Sequence, residues 1–116
     1  MASSNYVRGR RFEYRVRDRL LDMGAVYVMR AAQSKGIADL AAFWPPVSQY
    51  TPAAAWLVQC KTGSARMSRQ AKDDLAAIAQ KASATAYLAE PGKNGRGVVF
   101  TRLPGEETSG RVTGAG

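Results

Sequence analysis

Residues 36–40, Gly36-Ile37-Ala38-Asp39-Leu40, and residues 56–61, Trp56-Leu57-Val58-Gln59-Cys60-Lys61, decide how this chain is read. Both are short apolar runs of strand length, and each carries an ionisable group where packing alone gives little reason for one. Side chains two apart in a strand share a face. Gln59 and Lys61 are therefore expected to point one way, with Trp56, Val58 and Cys60 pointing the other. If the two strands are neighbours, Asp39, Gln59 and Lys61 converge on one patch suited to a hard divalent cation and a phosphate.

Upstream, residues 6–23 read as a helix. Phe12, Val16, Leu20 and Met23 fall on one apolar stripe, and Arg8, Arg11, Arg15 and Arg19 lie on another face. Asn5 is expected to cap its start and Gly24 to stop it. Gly9 inside the helix marks either the helix start or a close approach by another backbone. Ala25–Arg30 reads as the first strand, 31–36 as a polar turn and Ile37–Phe43 as the second strand. Pro45 and Pro46 exclude a sheet interior, so 45–52 reads as a loop and Ala54–Lys61 as the third strand. Ser68 is placed to cap a second helix running to about Ala82, with Ala71, Leu75, Ile78 and Ala82 as its apolar stripe. Strands over Ala84–Ala89 and Gly97–Leu103 follow. The order is α-β-β-β-α-β-β, an α/β chain with a mixed five-stranded sheet flanked by helices. The second helix is expected to make a right-handed parallel crossover. Residues 5–104 form a single domain, and 105–116, rich in Gly, Ser, Thr and Glu, read as a flexible C-terminal tail.

Composition narrows the chemistry. The 116 residues suit one small domain with a modest core, and 46% apolar with 22% charged residues is a globular balance. No apolar run approaches a membrane span. The opening Met1-Ala2-Ser3-Ser4-Asn5 is polar and shows no secretory signal. There is no histidine, which excludes Ser-His-Asp catalysis and His-ligated metals; the single cysteine, Cys60, excludes an internal disulfide and makes no zinc site by itself. Seventeen Lys and Arg against nine Asp and Glu give a net charge of +8. Such an excess favours polyanionic partners, nucleic acid first.

Glu13, at the edge of the first helix's apolar stripe, is a third acidic candidate. A helix packed on the sheet would aim it at Asp39. Phosphodiester hydrolysis needs an activated water and neutralised charge at the scissile phosphate. Magnesium supplies both through oxygen ligands. Glu13 and Asp39 offer carboxylates, Gln59 an amide oxygen and Cys60 its backbone carbonyl. Lys61 is suited to orient the water or stabilise the pentavalent charge. Arg8, Arg10, Arg11 and Arg15 would hold a phosphate backbone nearby.

The series Glu13 … Ala38-Asp39 … Gln59-Cys60-Lys61 resembles the PD-(D/E)xK nuclease superfamily. The opening Asn5-Tyr6-Val7-Arg8-Gly9-Arg10-Arg11-Phe12-Glu13, followed by Arg30 … Ser34-Lys35-Gly36-Ile37-Ala38-Asp39, resembles the archaeal-type Holliday junction resolvases and their phage and bacterial relatives. The resemblance spans roughly residues 5–90 and implies a restriction-endonuclease-like fold. It further implies a homodimer that cuts four-way DNA junctions with Mg2+ or Mn2+, in the cytoplasm of a bacterium or a phage-infected host. Glu13, Asp39 and Lys61 correspond to the helix glutamate, the metal ligand and the catalytic lysine. Ser34 corresponds to a loop serine that assists catalysis in some members, and Arg8, Arg30 and Lys35 fall where the family grips DNA. Two positions depart from the pattern. Ala38 replaces the usual proline. Gln59 replaces the usual acidic residue, which removes a negative charge and weakens the expectation of a second metal. Lys61-Thr62-Gly63 … Met67-Ser68-Arg69-Gln70 also resembles the virus-type replication–repair nucleases that act on flaps or nicks. A basic DNA-binding module without catalysis is the alternative of a different class.

Overall fold

The computed structural model describes residues 2–31, 38–45, 54–63, 65–104 and 111–113. Helix α1 spans Ala2–Asp22. It begins upstream of the expected boundary, so Asn5 lies within the helix rather than capping it. Its end is as expected. Gly24 adopts φ +110°, and the N–H groups of Gly24 and Ala25 donate to the Leu21 and Leu20 carbonyls. This pairing closes the last turn with a residue that needs no Cβ. Phe12, Val16 and Leu20 are buried and Met23 packs beside them. Gly9 sits inside the helix, where an added Cβ would meet nothing within 4 Å, so no backbone approaches it closely. Gly9→Ala is therefore expected to raise unfolding stability by about 1 kcal/mol in a denaturant titration, through helix propensity alone.

The strands are β1 (Tyr27–Arg30), β2 (Leu40–Phe43), β3 (Ala55–Cys60), β4 (Thr85–Pro91), β5 (Val98–Arg102) and β6 (Arg111–Thr113). They lie side by side in chain order. Every pairing is antiparallel except β3 with β4, which are parallel and joined through helix α2, Arg69–Lys81. The five expected strands are thus present in the expected order. The segment after residue 104 adds something not expected of it: 111–113 pair with β5 as a sixth strand. An exposed row of β5 backbone donors and acceptors favours such pairing whatever the side-chain pattern.

Two cores flank the sheet. On one face α1 covers Leu40, Ala42, Val58, Tyr87, Ala89 and Phe100. On the other, Leu75 and Ala79 of α2 cover Ala86, Leu88 and Leu103. Strand β4 is buried on both faces over Ala86-Tyr87-Leu88-Ala89, which explains its unbroken apolar reading. Trp56 stacks on Tyr87 with ring centroids 3.8 Å apart, and Trp44 lies 4.6 Å from Trp56. Both tryptophans pack against the α1-side core. Helix α2 is capped by Ser68, whose hydroxyl accepts from the Ala71 N–H. Its stripe differs from the expected one, because Leu75 and Ala79 are buried while Ile78 is 44% exposed. No described helix is long and apolar enough to cross a membrane.

Candidate active site

The paired register of β2 and β3 starts at Leu40 opposite Val58, but β3 runs on to Cys60. The Cys60 N–H therefore lies beyond the β2 ladder, and the Asp39 carboxylate takes it at 2.8 Å. The Asp39 main chain is held as well. Its N–H donates to the Val58 carbonyl and its carbonyl accepts from Ala31 N–H, each at 2.9 Å. Asp39 is thus pinned between β1 and β3 at the point where the sheet opens.

Glu13 reaches the same place from α1. It flanks the stripe Phe12–Val16–Leu20, and its Oε1 accepts from Arg30 Nε at 3.0 Å. Arg30 ends β1, and its guanidinium also sits 4.9 Å from the Tyr14 ring centroid. Both members of the ion pair are about three-quarters buried.

The Asp39 charge bears on Glu13. Burial pushes the Glu13 carboxyl above its ordinary 4.5, and the Asp39 charge adds to this; Arg30, by charge and hydrogen bond, and Arg10, by charge, oppose it. Burial likewise raises Asp39 above 3.8, against the Cys60 N–H and the charges of Lys61 and Arg30. Burial, with Asp39 and Glu13, drives the Cys60 thiol far above its usual range, so it stays protonated and is no nucleophile. Lys61 lies just past β3, with its N–H on the Ala89 carbonyl at 3.0 Å.

The raised carboxylates fix the sign of a stability effect. The folded state keeps the Asp39 proton to higher pH than the unfolded chain does, so ionising it costs stability. That cost is absent below the ordinary 3.8 and complete above the raised folded value. Asn at this position keeps an acceptor for Cys60 N–H without the charge. Asp39→Asn is expected to melt higher than wild type at pH 7, with the gap closing as pH falls through the raised folded value and gone below 3.8. An equal or lower melting temperature at pH 7 would contradict it.

The structure thus brings Glu13, Asp39, Arg30 and the Cys60 backbone together, with Lys61 close enough for its charge to act on Asp39. Gln59 and Lys61 alternate with Cys60 along the chain. Leu57 packs with the α2-side core, while Trp56, Val58 and Cys60 pack with the α1-side core. By the pleat Gln59 shares the Leu57 face, and Lys61, two residues further on, shares it too. Ser34 and Lys35 lie outside the described residues. Arg8, Arg10, Arg11 and Arg15 are exposed. Arg8, Arg11 and Arg15 sit on the flank of α1 opposite Glu13, whereas the Arg10 charge reaches it.

Arg30 was expected among DNA contacts, and its partner Glu13 was not foreseen. Its pleat held the signal, since Val28, two residues earlier, packs against the α1-side core. Among the described residues no three His, Cys, Asp or Glu side chains group closely enough to hold a metal ion. Two mutually repelling carboxylates still fit a hard cation that keeps most of its water and takes its remaining ligands from a phosphate.

No family model matches the chain, and no curated protein matches it. Among solved structures it is similar to Hjc, a Holliday junction resolvase from the archaeal hyperthermophile Archaeoglobus fulgidus. The likeness has a TM-score of 0.63 at 19% identity, over 90% of this chain and 80% of that one. It shows a shared fold: a mixed sheet flanked by helices.

Proposed function

We propose that this protein is a metal-dependent endonuclease that cuts branched DNA, four-way junctions above all, as a homodimer. The observation that carries the reading is the placement of Asp39. Its carboxylate is pinned at the opening of the sheet by Cys60 N–H, with Glu13 facing it and Lys61 beside it. The fold shared with a Holliday junction resolvase supports the choice of substrate.

In this reading Glu13 and Asp39 would hold Mg2+ or Mn2+, which would supply an activated water and charge neutralisation. The chain's own groups do the rest. Arg30 keeps Glu13 ionised and aimed inward. The Cys60 N–H fixes the Asp39 rotamer. The Lys61 ammonium stabilises negative charge as water oxygen bonds to phosphorus and one bridging oxygen leaves with a proton. Gln59 brings no charge, so Glu13 and Asp39 are the two carboxylates of the site.

The test is cleavage of a labelled four-way junction beside flap, nicked and linear duplexes, with and without Mg2+ or Mn2+. Paired, symmetric, metal-dependent nicks in the junction are expected. Cutting confined to flaps or nicks would move the protein to the replication–repair type of nuclease. Tight junction binding with no cutting in either metal would leave a DNA-binding module.

A further inference from the structure

Two open grooves meet on the edge of the molecule where β3 and β4 end. The first, about 620 Å³, has Arg8, Arg11 and Arg15 along the α1 wall. The second, about 810 Å³, has Lys61 and Arg66 on the β3–α2 loop and Lys93 on the β4–β5 turn. They share Thr62, Pro91 and Gly95 as a common floor. Among the described residues, six cationic side chains line the two grooves against one carboxylate, Glu90.

The turn carrying Lys93 is built by backbone geometry. Asn94, Gly95 and Gly97 have φ of +60°, +74° and +68°. A Cβ on Gly92 would lie 2.3 Å from the Arg96 carbonyl oxygen, so only glycine closes the turn there. Lys93 is exposed at its tip. Arg66 is held on its own loop, donating to the Ala65 and Gly63 carbonyls at 3.0 and 3.4 Å.

The cations are strung along the two grooves and do not converge on one point. That arrangement suits an extended polyanion better than a single phosphate. Arg8 to Arg15 covers roughly 10 Å of helix at 1.5 Å per residue. Measured along the duplex axis this is about three phosphates of one strand, at roughly 3.4 Å of rise each. Val7, Phe12 and Pro91 in the first groove give apolar surface for sugars.

We propose that the two grooves form one continuous track for a DNA backbone, from the α1 arginines across Thr62 and Gly95 to Arg66 and Lys93. The track passes Lys61, so a strand following it brings a phosphate to that lysine. The proposal rests on the nuclease reading for its substrate and adds the second wall, which comes from two loops distant in sequence.

The test is binding of a fluorescent four-way junction in EDTA, by anisotropy over a range of salt. The proteins are wild type, Arg66→Gln, Lys93→Gln, the double variant and Lys81→Gln, an exposed control on α2. Each single track variant is expected to weaken binding about 3–10-fold near 0.1 M salt and to reduce the salt slope by about one, and the double variant by about two. Lys81→Gln should match wild type. Thermal melts confirm that each variant is folded. A folded double variant with wild-type affinity and slope overturns the track, even if wild type cuts junctions in Mg2+. Loss of binding in the double variant supports the track even if wild type cuts nothing, in which case only the nuclease reading falls.

Discussion

Asp39→Asn is expected to lower metal-dependent junction cleavage by a factor on the order of 10³ or more, while junction binding in EDTA stays close to wild type. The substitution changes one atom's chemistry and little shape. An asparagine oxygen can still accept the Cys60 N–H that Asp39 Oδ2 takes at 2.8 Å, so the sheet opening keeps its geometry. What disappears is the charge that, with Glu13, would draw a cation, and that Lys61 and Arg30 now balance. With no cation to balance it that charge is a burden, because burial disfavours it. The same variant should therefore be more heat-stable at pH 7 and nearly inactive. That combination separates a functional carboxylate from a merely structural one, whose loss would lower stability and activity together. Cleavage within tenfold of wild type, measured under single-turnover conditions, would remove Asp39 from the chemistry.

Much of this was legible in the residues because the strands are short apolar runs with clear stops. The parallel step from β3 to β4 follows from a helix standing between them. Asp39 stood out because a carboxylate closes an apolar run. Other features rest on facts that no local pattern carries. The pleat separates Gln59 from Cys60, but only the packing of α1 and α2 on opposite faces says which side meets Glu13. The α2 stripe departs from the expected one at Ile78. With alanines at 71, 76, 77 and 79, the helix offers almost no contrast between faces, and one isoleucine pulls the reading off the true line of Leu75 and Ala79. The Arg30–Glu13 pair joins residues 17 apart, and the grooves collect cations from α1, a loop and a turn. Strand β6 has only Arg111-Val112-Thr113 between glycine-rich ends, too short for periodicity to show.

Phe100→Ala is expected to cost about 3–5 kcal/mol of unfolding free energy, a large part of the roughly 5–15 kcal/mol available to a small domain. Phe100 has no exposed surface and is the largest of the fully buried side chains. Its ring meets Trp56 edge-on at 5.6 Å and Tyr87 at 6.4 Å, while Trp56 and Tyr87 stack on each other. Removing it opens a cavity beneath α1 and undercuts three strands, because these residues come from β3, β4 and β5. The surrounding rings are too stiff to fill the space, so the penalty should fall at the upper end for such a change. A melting-temperature drop of roughly 15 °C or more is the corresponding readout. Ile78→Ala is the control, because Ile78 is 44% exposed and its loss should cost less than about 1 kcal/mol. Near-equal costs for the two would mean that the aromatic cluster is not the centre of this core and that α2 packs through Ile78 after all. The same experiment bears on the site. Phe12, at 4% exposure, packs in the same core one residue before Glu13, so loosening the floor at Phe100 should also blunt the aim of Glu13 at Asp39.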